Sequence, residues 1–424
     1  MVSTTEGLEC LIFQGLYHIN AGNPRRAWLT LRRALNLGQL MGIHRKKGST
    51  IPGGRQMWFQ AVQADRYLGL LLGLPCGSAD LEFEPDENFQ NPNVNVDELF
   101  NSKLCNIVGR VIERNQSENS QVYTTTQNID EALEQLHNDM PTGWWEIPAF
   151  IPNDGSLEAV QIFNRIMSEM WYFQVVAILH LPFMLRAPKE RRYEYSRFSC
   201  LKASREMIDR YLALRRAGTT SFCCNVVDFG ALTSTVTLYL VSIMESETGG
   251  ESQAQRQQKE SDKAMVHAVL KHMEDLSQGG RDFVATQSVS VIKSLLAIGS
   301  PGSPSDHQTG NLKLTIPYFG TISIVRPPPA EQNEASNLSY LQPFPEQSLP
   351  MGQEPTPQSW QGSYTPRSPG FTTQTKMPMI SFSSCQFPNL SCQQPQQIQD
   401  WSLPEDNLFF DSLLQTDLEG NWIY

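Results

Sequence analysis

The side chains of this sequence that could do chemistry are two histidines and one adjacent acid–base pair. His44 comes two residues after Gly42, a residue type that commonly ends helices, so we expect His44 to interact with the last helix carbonyls. His180 lies in an apolar run beside Pro182, so we expect a buried histidine with satisfied hydrogen bonds. The sequence has no Ser/His/Asp order, glycine-rich phosphate loop or His-Glu-x-x-His string. The sequence therefore offers no candidate catalytic residue.

The acid–base pair is Asp65 and Arg66. Asp65 falls inside the apolar stripe of a helix predicted from about Arg55 to Leu72. A carboxylate there must be paired, because removing one partner of a buried ion pair costs about 3–5 kcal/mol. We interpret the pair as structural and as fixing two helices rather than binding a ligand. The residues assigned to this group are Asp65, Arg66, Arg26, Trp28 and Trp58.

Eight cysteines are spread along the chain, and none forms a Cys-x-x-Cys pair. Two of them, Cys223 and Cys224, are adjacent, which is not the spacing of a zinc site. We therefore predict no metal and no cofactor in this chain. The scatter is typical of buried thiols in a reducing compartment.

The charge balance argues against direct DNA binding. The net charge is −11, and the basic runs are short and interleaved with helix signals. His44-Arg45-Lys46-Lys47 is too short to count as a targeting signal. The apolar run Met167–Leu185 contains Glu169 and Gln174, so we expect a buried helix there rather than a membrane span.

Apolar residues recur at helical spacing through the first three hundred positions, and no strand alternates with these segments, so the predicted class is all-α. We expect a multi-helix regulatory domain followed by a mostly disordered C-terminal tail. The predicted helices lie near Leu8–Ile19, Pro24–Met41, Arg55–Leu72, Phe100–Val111, Ile129–Met140, Leu157–Leu181, Arg197–Arg216, Phe222–Met244, Asp262–Ser277 and Phe283–Ala297.

The composition changes after the helical region, which we place at residues 1–299. Alternating apolar residues predict a small hairpin or linker at 300–326. Residues 327–398 are rich in Pro, Gln and Ser, so we expect a disordered linker.

The last segment, residues 399–424, interleaves acids with large apolar residues and has no Lys or Arg. Acids keep such a segment solvated while its apolar side chains stay available to a partner's groove. We interpret it as an activation-type segment; the alternative is a tail that packs on its own domain. The apolar residues expected to contact the partner are Trp401, Leu408, Phe409, Phe410, Leu413, Leu414, Leu418 and Trp422.

Two stretches of the helical region resemble a known family. Ala27 to Arg45 resembles the helix that ends in Gly-Leu-His-Arg in the fungal-specific transcription factor domain, or middle homology region, of zinc-cluster regulators. Gly54 to Pro75 resembles the next signature of that domain, with its Asp-Arg pair and Leu-Gly-x-Pro end. Phe59 here replaces a second Trp, and Leu74 replaces a common Arg. Weaker matches are Ile178 to Phe183 and Cys200 to Ile208.

The resemblance covers about Glu6 to Ala297 and assigns its matching motif residues a structural role. It implies a nuclear regulator that contacts DNA only through an N-terminal zinc cluster absent here, with zinc expected only if such a cysteine cluster lies upstream. The resemblance also leads us to expect that the chain begins inside the domain. The motif residues are Arg26, Trp28, Gly42, His44, Arg45, Trp58, Asp65, Arg66, Gly73, Pro75, His180 and Pro182.

Three functions stay open on the sequence alone. The first is a regulator of RNA polymerase II transcription that recruits the transcription machinery or co-activators through its C terminus and forms homo- or heterodimers within the family. The second is a non-DNA-binding scaffold or decoy that pairs with a full-length homologue. The third and most distant is a helical enzyme with a ligand pocket. We expect no membrane partner.

Overall fold

The computed structural model describes residues 4–45, 51–77, 95–117, 122–152, 154–218, 225–246, 252–278, 283–299, 311–316 and 320–325. These residues form ten α-helices, one 3-10 turn (Arg191–Tyr193) and two strands. The helices are α1 (Thr5–Asn20), α2 (Pro24–Leu40), α3 (Gly54–Leu72), α4 (Val96–Gln116), α5 (Val122–Asn138), α6 (Leu157–Met184), α7 (Glu194–Arg216), α8 (Asn225–Ser246), α9 (Gln253–Ser277) and α10 (Phe283–Gly299).

The helices share one hydrophobic core, which confirms the all-α prediction. α1 packs along α2, and α6 packs along α7. α8 is buried on nearly all sides from Val227 to Val241 and contacts α1, α6, α7, α9 and α10. Its nearly uniform apolar sequence predicted this central position.

The predicted apolar stripes are the buried faces. Leu8, Leu11, Ile12 and Ile19 of α1 are all buried, and the stripe of α4 lies in the same core. On α7 the predicted inward residues have exposed fractions of 2% or less; these are Cys200, Ala203, Met207, Ile208 and Tyr211. Spacing at i, i+3 and i+4 therefore places these faces correctly.

Several helix ends differ from the prediction. α9 begins at Gln253, inside a stretch that we predicted to be a polar loop up to Lys259. Its start is a capping box, in which Ser252 Oγ accepts from the Gln255 amide and the Ser252 amide donates to Gln255 Oε1. The first half of α9 is polar and has almost no apolar stripe. Apolar periodicity therefore predicted only its second half.

Two strands follow the helices. β1 (Asn311–Ile316) pairs antiparallel with β2 (Gly320–Val325), and Leu312 lies opposite Ile324. The strands lie inside the stretch where alternating apolar residues indicated a hairpin. The predicted linker 327–398 and segment 399–424 lie outside the described residues.

Candidate functional site

The first motif region centres on an ion pair between α2 and α3. Arg32 Nε is 2.6 Å from Asp65 Oδ1, and the Asp65 side chain is fully buried. We predicted a buried charge pair of Asp65 and Arg66, grouped with Arg26, that fixes two helices; the pair does join two helices, but Arg32 supplies its base. Neighbouring residues of a helix point to different faces, so Arg66 cannot turn back to Asp65. Arg26 is exposed on α2.

The loop after α3 completes this ion pair. The amide of Gly77 donates to Asp65 Oδ2 at 2.8 Å, and Arg32 Nη2 donates to the carbonyl of Pro75. A Cβ on Gly77 would lie 2.6 Å from Arg32 Nη1, so this close approach requires glycine. Trp28 lies against the other face of the guanidinium, with its ring centroid 4.5 Å from Arg32 Cζ. Arg32 therefore joins α2, α3 and the loop.

Arg66 connects α3 to the next helix instead. Its Nη1 donates to the Cys105 carbonyl at 2.9 Å and reaches Asn106 Oδ1 at 3.4 Å. Arg66 is only 2% exposed, so these bonds form inside the core. Adjacent Asp65 and Arg66 thus serve two separate contacts, one toward α2 and one toward α4.

The end of α2 has the predicted Schellman geometry. Gly42 has φ of 74°, its amide donates to Gln39, and the Ile43 amide donates to Gly38. The ring of His44 lies 6.0 Å from that of Trp58, and His44 Nδ1 has no hydrogen-bond partner among the described residues. The His44 ring therefore packs against the side chain of Trp58 on α3, and its Nδ1 does not bond to the helix carbonyls as we expected.

Three further motif residues lie nearby. Arg45 is exposed beyond the end of α2. Gly73 ends α3 with φ of 68°, and its carbonyl accepts from Gln116 of α4. The loop from Gly73 to Pro75 thereby contacts both α2 and α4. The motif residues Gly73 and Pro75 thus lie where α2, α3 and α4 meet.

His180 is the satisfied core histidine that the sequence predicted. Its Nε2 is 2.9 Å from Asp130 Oδ1 on α5, and its Nδ1 is 3.1 Å from Ser196 Oγ on α7. Tyr195 donates to Asp130 Oδ2 at 2.7 Å. Burial alone would raise the pKa of Asp130, but the hydrogen bonds from His180 and Tyr195 outweigh it and hold the pKa below its usual value. Pro182 lies inside the last turn of α6.

This network has the connectivity of a serine nucleophile, a histidine and an aspartate, which the chain order does not reveal. Ser196 is fully buried and His180 is 1% exposed. A nucleophile must reach its substrate, and this hydroxyl has no open path to one. The arrangement therefore joins α5, α6 and α7 as a buried structural network.

A second buried network joins α6 to α7. Arg210 Nε lies 2.5 Å from Glu169 Oε2, and its Nη2 donates to the Trp145 carbonyl at 2.9 Å. Arg165 lies 3.4 Å from the other oxygen of Glu169. Burial raises the pKa of Glu169 to about 7, against the opposing charge of Arg210. Sequence reasoning identified Glu169 only as an obstacle to a membrane span.

One open cleft of about 540 Å³ lies between the first turns of α4 and α6. Its lining is mixed in polarity and includes Asp97, Asn101, Trp144 and Arg165. Trp144 Nε1 donates to Asp97 Oδ1 at 3.0 Å, so two of these groups already pair with each other. No residue that the sequence singled out as a motif lines the cleft.

The described ranges hold neither a cluster of metal ligands nor a membrane-spanning helix. There, no three His, Cys, Asp or Glu side chains come together as metal ligands. None of the helices in the described ranges combines the length and apolar character needed to cross a bilayer, α6 included. The buried networks are thus the main polar features of this part of the chain.

Comparison with known proteins gives a consistent set of relatives. The transcription factor sdnS of Sordaria araneosa is 33% identical over 365 residues, covering 80% of this chain and 47% of that protein. A dehydrocurvularin biosynthesis regulator of Aspergillus terreus is 31% identical over 402 residues, covering 84% of this chain and 55% of that protein. The Zn(2)-C6 fungal-type transcription factor pigI of Monascus ruber is 24% identical over 236 residues, covering 48% of this chain and 28% of that protein.

The chain is thus similar over about four fifths of its length to fungal transcription regulators, and a further relative is named as a zinc-cluster factor. It spans about half the length of these two curated relatives. No protein-family model matches the chain, and no solved structure does. This similarity is consistent with the resemblance carried by the Ala27–Arg45 and Gly54–Pro75 stretches.

The residues predicted to form an activation-type segment, from Trp401 to Trp422, all lie outside the described residues. What the structure describes is the helical part of the protein. There the motif residues contribute to helix packing, and none of them meets a second motif residue in a ligand-binding arrangement.

Proposed function

We propose that this chain is the regulatory and activating part of a nuclear fungal transcription factor that acts on genes read by RNA polymerase II. The observation that carries the proposal is the identity of 31–33% to named fungal regulators over about four fifths of the chain. In this proposal the chain has no catalytic role, and DNA is contacted through a zinc cluster that is not in this sequence.

The helical region serves as the regulatory platform in this proposal. Its buried networks support that role, because each one ties two or three helices together by charge and hydrogen bonds rather than by apolar contact alone. Arg32–Asp65 ties α2 to α3, and His180–Asp130 ties α6 to α5. Such contacts fix a particular packing geometry, which a dimerising or signal-receiving domain must keep.

The target genes belong to a biosynthetic route in this proposal. Two of the relatives are named as biosynthesis regulators, the protein of Aspergillus terreus and one of Alternaria cinerariae. The chain matches both over more than three quarters of its length.

Residues 399–424 supply the activating contact in this proposal. The segment carries six acids and no Lys or Arg among large apolar side chains, the composition that lets a solvated segment offer apolar groups to a co-activator groove. Activation is then expected from this segment alone, without the helices.

A reporter assay tests this part of the proposal. Residues 399–424, fused to an unrelated DNA-binding domain, should activate a reporter gene. Replacing Phe409, Phe410, Leu413 and Leu414 by Ala should abolish that activation while keeping every charge. The Pro/Gln/Ser-rich residues 327–398 in the same fusion serve as a control of different composition. A silent wild-type fusion, or equal activity of the wild type and the four-alanine variant, overturns the assignment.

A further inference from the structure

The open cleft between α4 and α6 has the size of a small-molecule site. Its volume is about 540 Å³, and pockets of about 300–1,000 Å³ hold ligands of drug size. The most buried polar residues of its lining are Asn101 and Ser168, with exposed fractions of 7% and 5%. Apolar side chains line it as well, among them Val96, Pro141 and Ile162. A compound in the cleft can therefore contact buried polar groups and apolar side chains together.

Asn101 has an unpaired oxygen at this cleft. Its Nδ2 donates to Ser168 Oγ at 3.0 Å, and the Ser168 hydroxyl donates to the Asn164 carbonyl at 3.0 Å. A hydroxyl has one proton, so Ser168 can only accept from Asn101, and this fixes the orientation of the Asn101 amide. Asn101 Oδ1 accepts no hydrogen bond within the described residues. A buried acceptor without a donor is unfavourable, so a ligand that donates to it would be stabilised.

Asp97 has a second unpaired oxygen, one helical turn earlier. Residues four apart on a helix are neighbours on one face, so Asp97 and Asn101 lie side by side on α4. Asp97 Oδ1 accepts from Trp144 Nε1 at 3.0 Å, whereas its Oδ2 accepts nothing from the part of the chain that the structure describes. Burial raises the pKa of Asp97, and the hydrogen bond from Trp144 and the charge of Arg165 offset this only in part. The Asp97 carboxylate therefore lacks a full counter-charge.

The charge of the cleft is negative. The charged side chains that line it are Asp97, Glu98, Glu158 and Arg165. The one base in this list is already engaged, because Arg165 Nη2 donates to the Glu146 carbonyl at 3.3 Å and its Nε lies 3.4 Å from Glu169 Oε1. Unpaired acceptors and excess negative charge both favour a ligand that donates hydrogen bonds and carries a positive charge.

The two helix starts at the cleft do not favour an anion. At the start of α4, Asn95 Oδ1 accepts from the amides of Asp97 and Glu98. At the start of α6, Ser156 Oγ accepts from the amide of Ala159. Each of these first turns also carries acids, which add negative charge where a helix start is positive. An anion in the cleft would therefore meet carboxylates and capped amides.

We propose that this cleft binds a small organic cation, a primary ammonium group carried on an apolar body. The ammonium group would donate to Asp97 Oδ2 and Asn101 Oδ1, and the apolar body would contact the apolar part of the lining. Arg165 lines the cleft and faces Glu169, so an occupant would lie next to the buried network that joins α6 to α7. This binding site goes beyond the transcriptional role proposed above, and it can be tested without reference to that role.

Three photo-reactive probes of nearly equal shape test the class of ligand. At neutral pH para-(aminomethyl)benzophenone is a cation, its hydroxymethyl analogue is neutral, and para-benzoylbenzoate is an anion. After irradiation with the full chain, the cation should label peptides that contain Val96 or Ile162 at least fivefold more than the neutral probe does, and the anion should label them least. Equal labelling by the three probes would mean that only apolar contact holds them, and strongest labelling by the anion would reverse the assigned charge. Either result overturns the proposal.

The variant Asp97→Asn tests the role of the carboxylate. It keeps an acceptor for Trp144 but replaces the other oxygen by an amide nitrogen, which would face the ammonium group. Isothermal titration calorimetry with the aminomethyl probe should therefore show about a tenfold loss of affinity. Glu113→Gln, exposed on the same helix and outside the cleft lining, makes the same change of net charge and should leave the affinity unchanged. Equal affinities of the two variants overturn the proposal.

A variant at the exposed edge of the cleft decides the matter even if Asp97→Asn fails to fold. Glu158 lies exposed in the first turn of α6 and lines the cleft, so Glu158→Lys should keep the fold. The added positive charge should lower labelling by the aminomethyl probe about threefold at low salt and leave labelling by the hydroxymethyl probe unchanged. Equal losses for both probes, or no loss for the cation, contradict the proposal.

Discussion

Arg32 Nε and Asp65 Oδ1 lie 2.6 Å apart, across the interface between α2 and α3. Asp65 is fully buried, while Arg32 keeps 23% of its side chain exposed. The partly exposed arginine therefore supplies the counter-charge of a carboxylate that solvent does not reach. Trp28 and the amide of Gly77 complete the surroundings of this pair.

Arg32→Ala should lower the free energy of unfolding by about 3 kcal/mol, because it leaves the Asp65 carboxylate buried without its partner. Urea denaturation monitored by tryptophan fluorescence measures the change. Arg26→Ala, an exposed arginine of the same helix, should change it by less than about 0.5 kcal/mol.

The double variant Arg32→Met with Asp65→Leu gives the complementary result. It should recover much of the loss, since apolar residues of similar volume replace the pair. Equal destabilisation by Arg32→Ala and Arg26→Ala would show that the ion pair contributes nothing.

The helices and their inner faces could be predicted from the sequence, whereas the partners of the polar groups could not. Spacing alone places Met207 and Tyr211 inside. The partner of Asp65 depends on how α2 crosses α3, and no local pattern encodes that crossing. Adjacent Arg66 seemed the natural partner, but its side chain points toward α4.

The same limit applies to the other sites. His180 could be recognised as a core histidine, yet Asp130 and Ser196 come from two other helices. One local sequence signal was missed. The Ser252–Gln255 capping box marks the start of α9, where there is no apolar periodicity to predict it.

Asp130→Asn should destabilise the protein by about 1–3 kcal/mol at pH 7, because the charge-assisted hydrogen bonds from His180 and Tyr195 weaken. The pKa of Asp130 is lowered in the folded state, so its stabilising effect is present above the unfolded pKa and is lost as the pH falls through the folded pKa. The difference from wild type should therefore shrink in acid. Glu131→Gln, the exposed neighbour on α5, is the control; a difference that stays constant down to pH 3 would argue against the network.

Glu169 should make stability depend on pH in the opposite direction. Its pKa is raised by burial from 4.5 to about 7, so the folded state holds a proton between these values that the unfolded state has lost. Stability should fall by about 2 kcal/mol as the pH rises from 5 to 7. Glu169→Gln should flatten this slope, whereas Glu158→Gln, exposed on the same helix, should not. Parallel curves for wild type and Glu169→Gln would contradict the assignment.

Gly42 tests the junction between α2 and α3 through the backbone alone. Its φ is 74°, and a Cβ there would meet no atom within 4 Å, so only conformational strain distinguishes the substitutions. Gly42→Ala should cost about 1 kcal/mol, and Gly42→Asn should cost less, because Asn tolerates the left-handed region better. Thermal unfolding of the three proteins ranks them; a rank with Asn below Ala would mean that the turn is not maintained.

The central claim is that this chain regulates transcription in its host fungus, and rapid depletion of the protein tests it most directly. A degradation tag removes the protein within minutes, and nascent RNA is sequenced before secondary effects develop. The proposal predicts an immediate fall in new transcripts from a small set of genes, including biosynthetic ones, and recovery on re-expression of the wild type but not of the variant with Ala at Phe409, Phe410, Leu413 and Leu414. No immediate change at any gene would contradict the claim, and an immediate rise would identify the chain as the decoy of a full-length homologue instead.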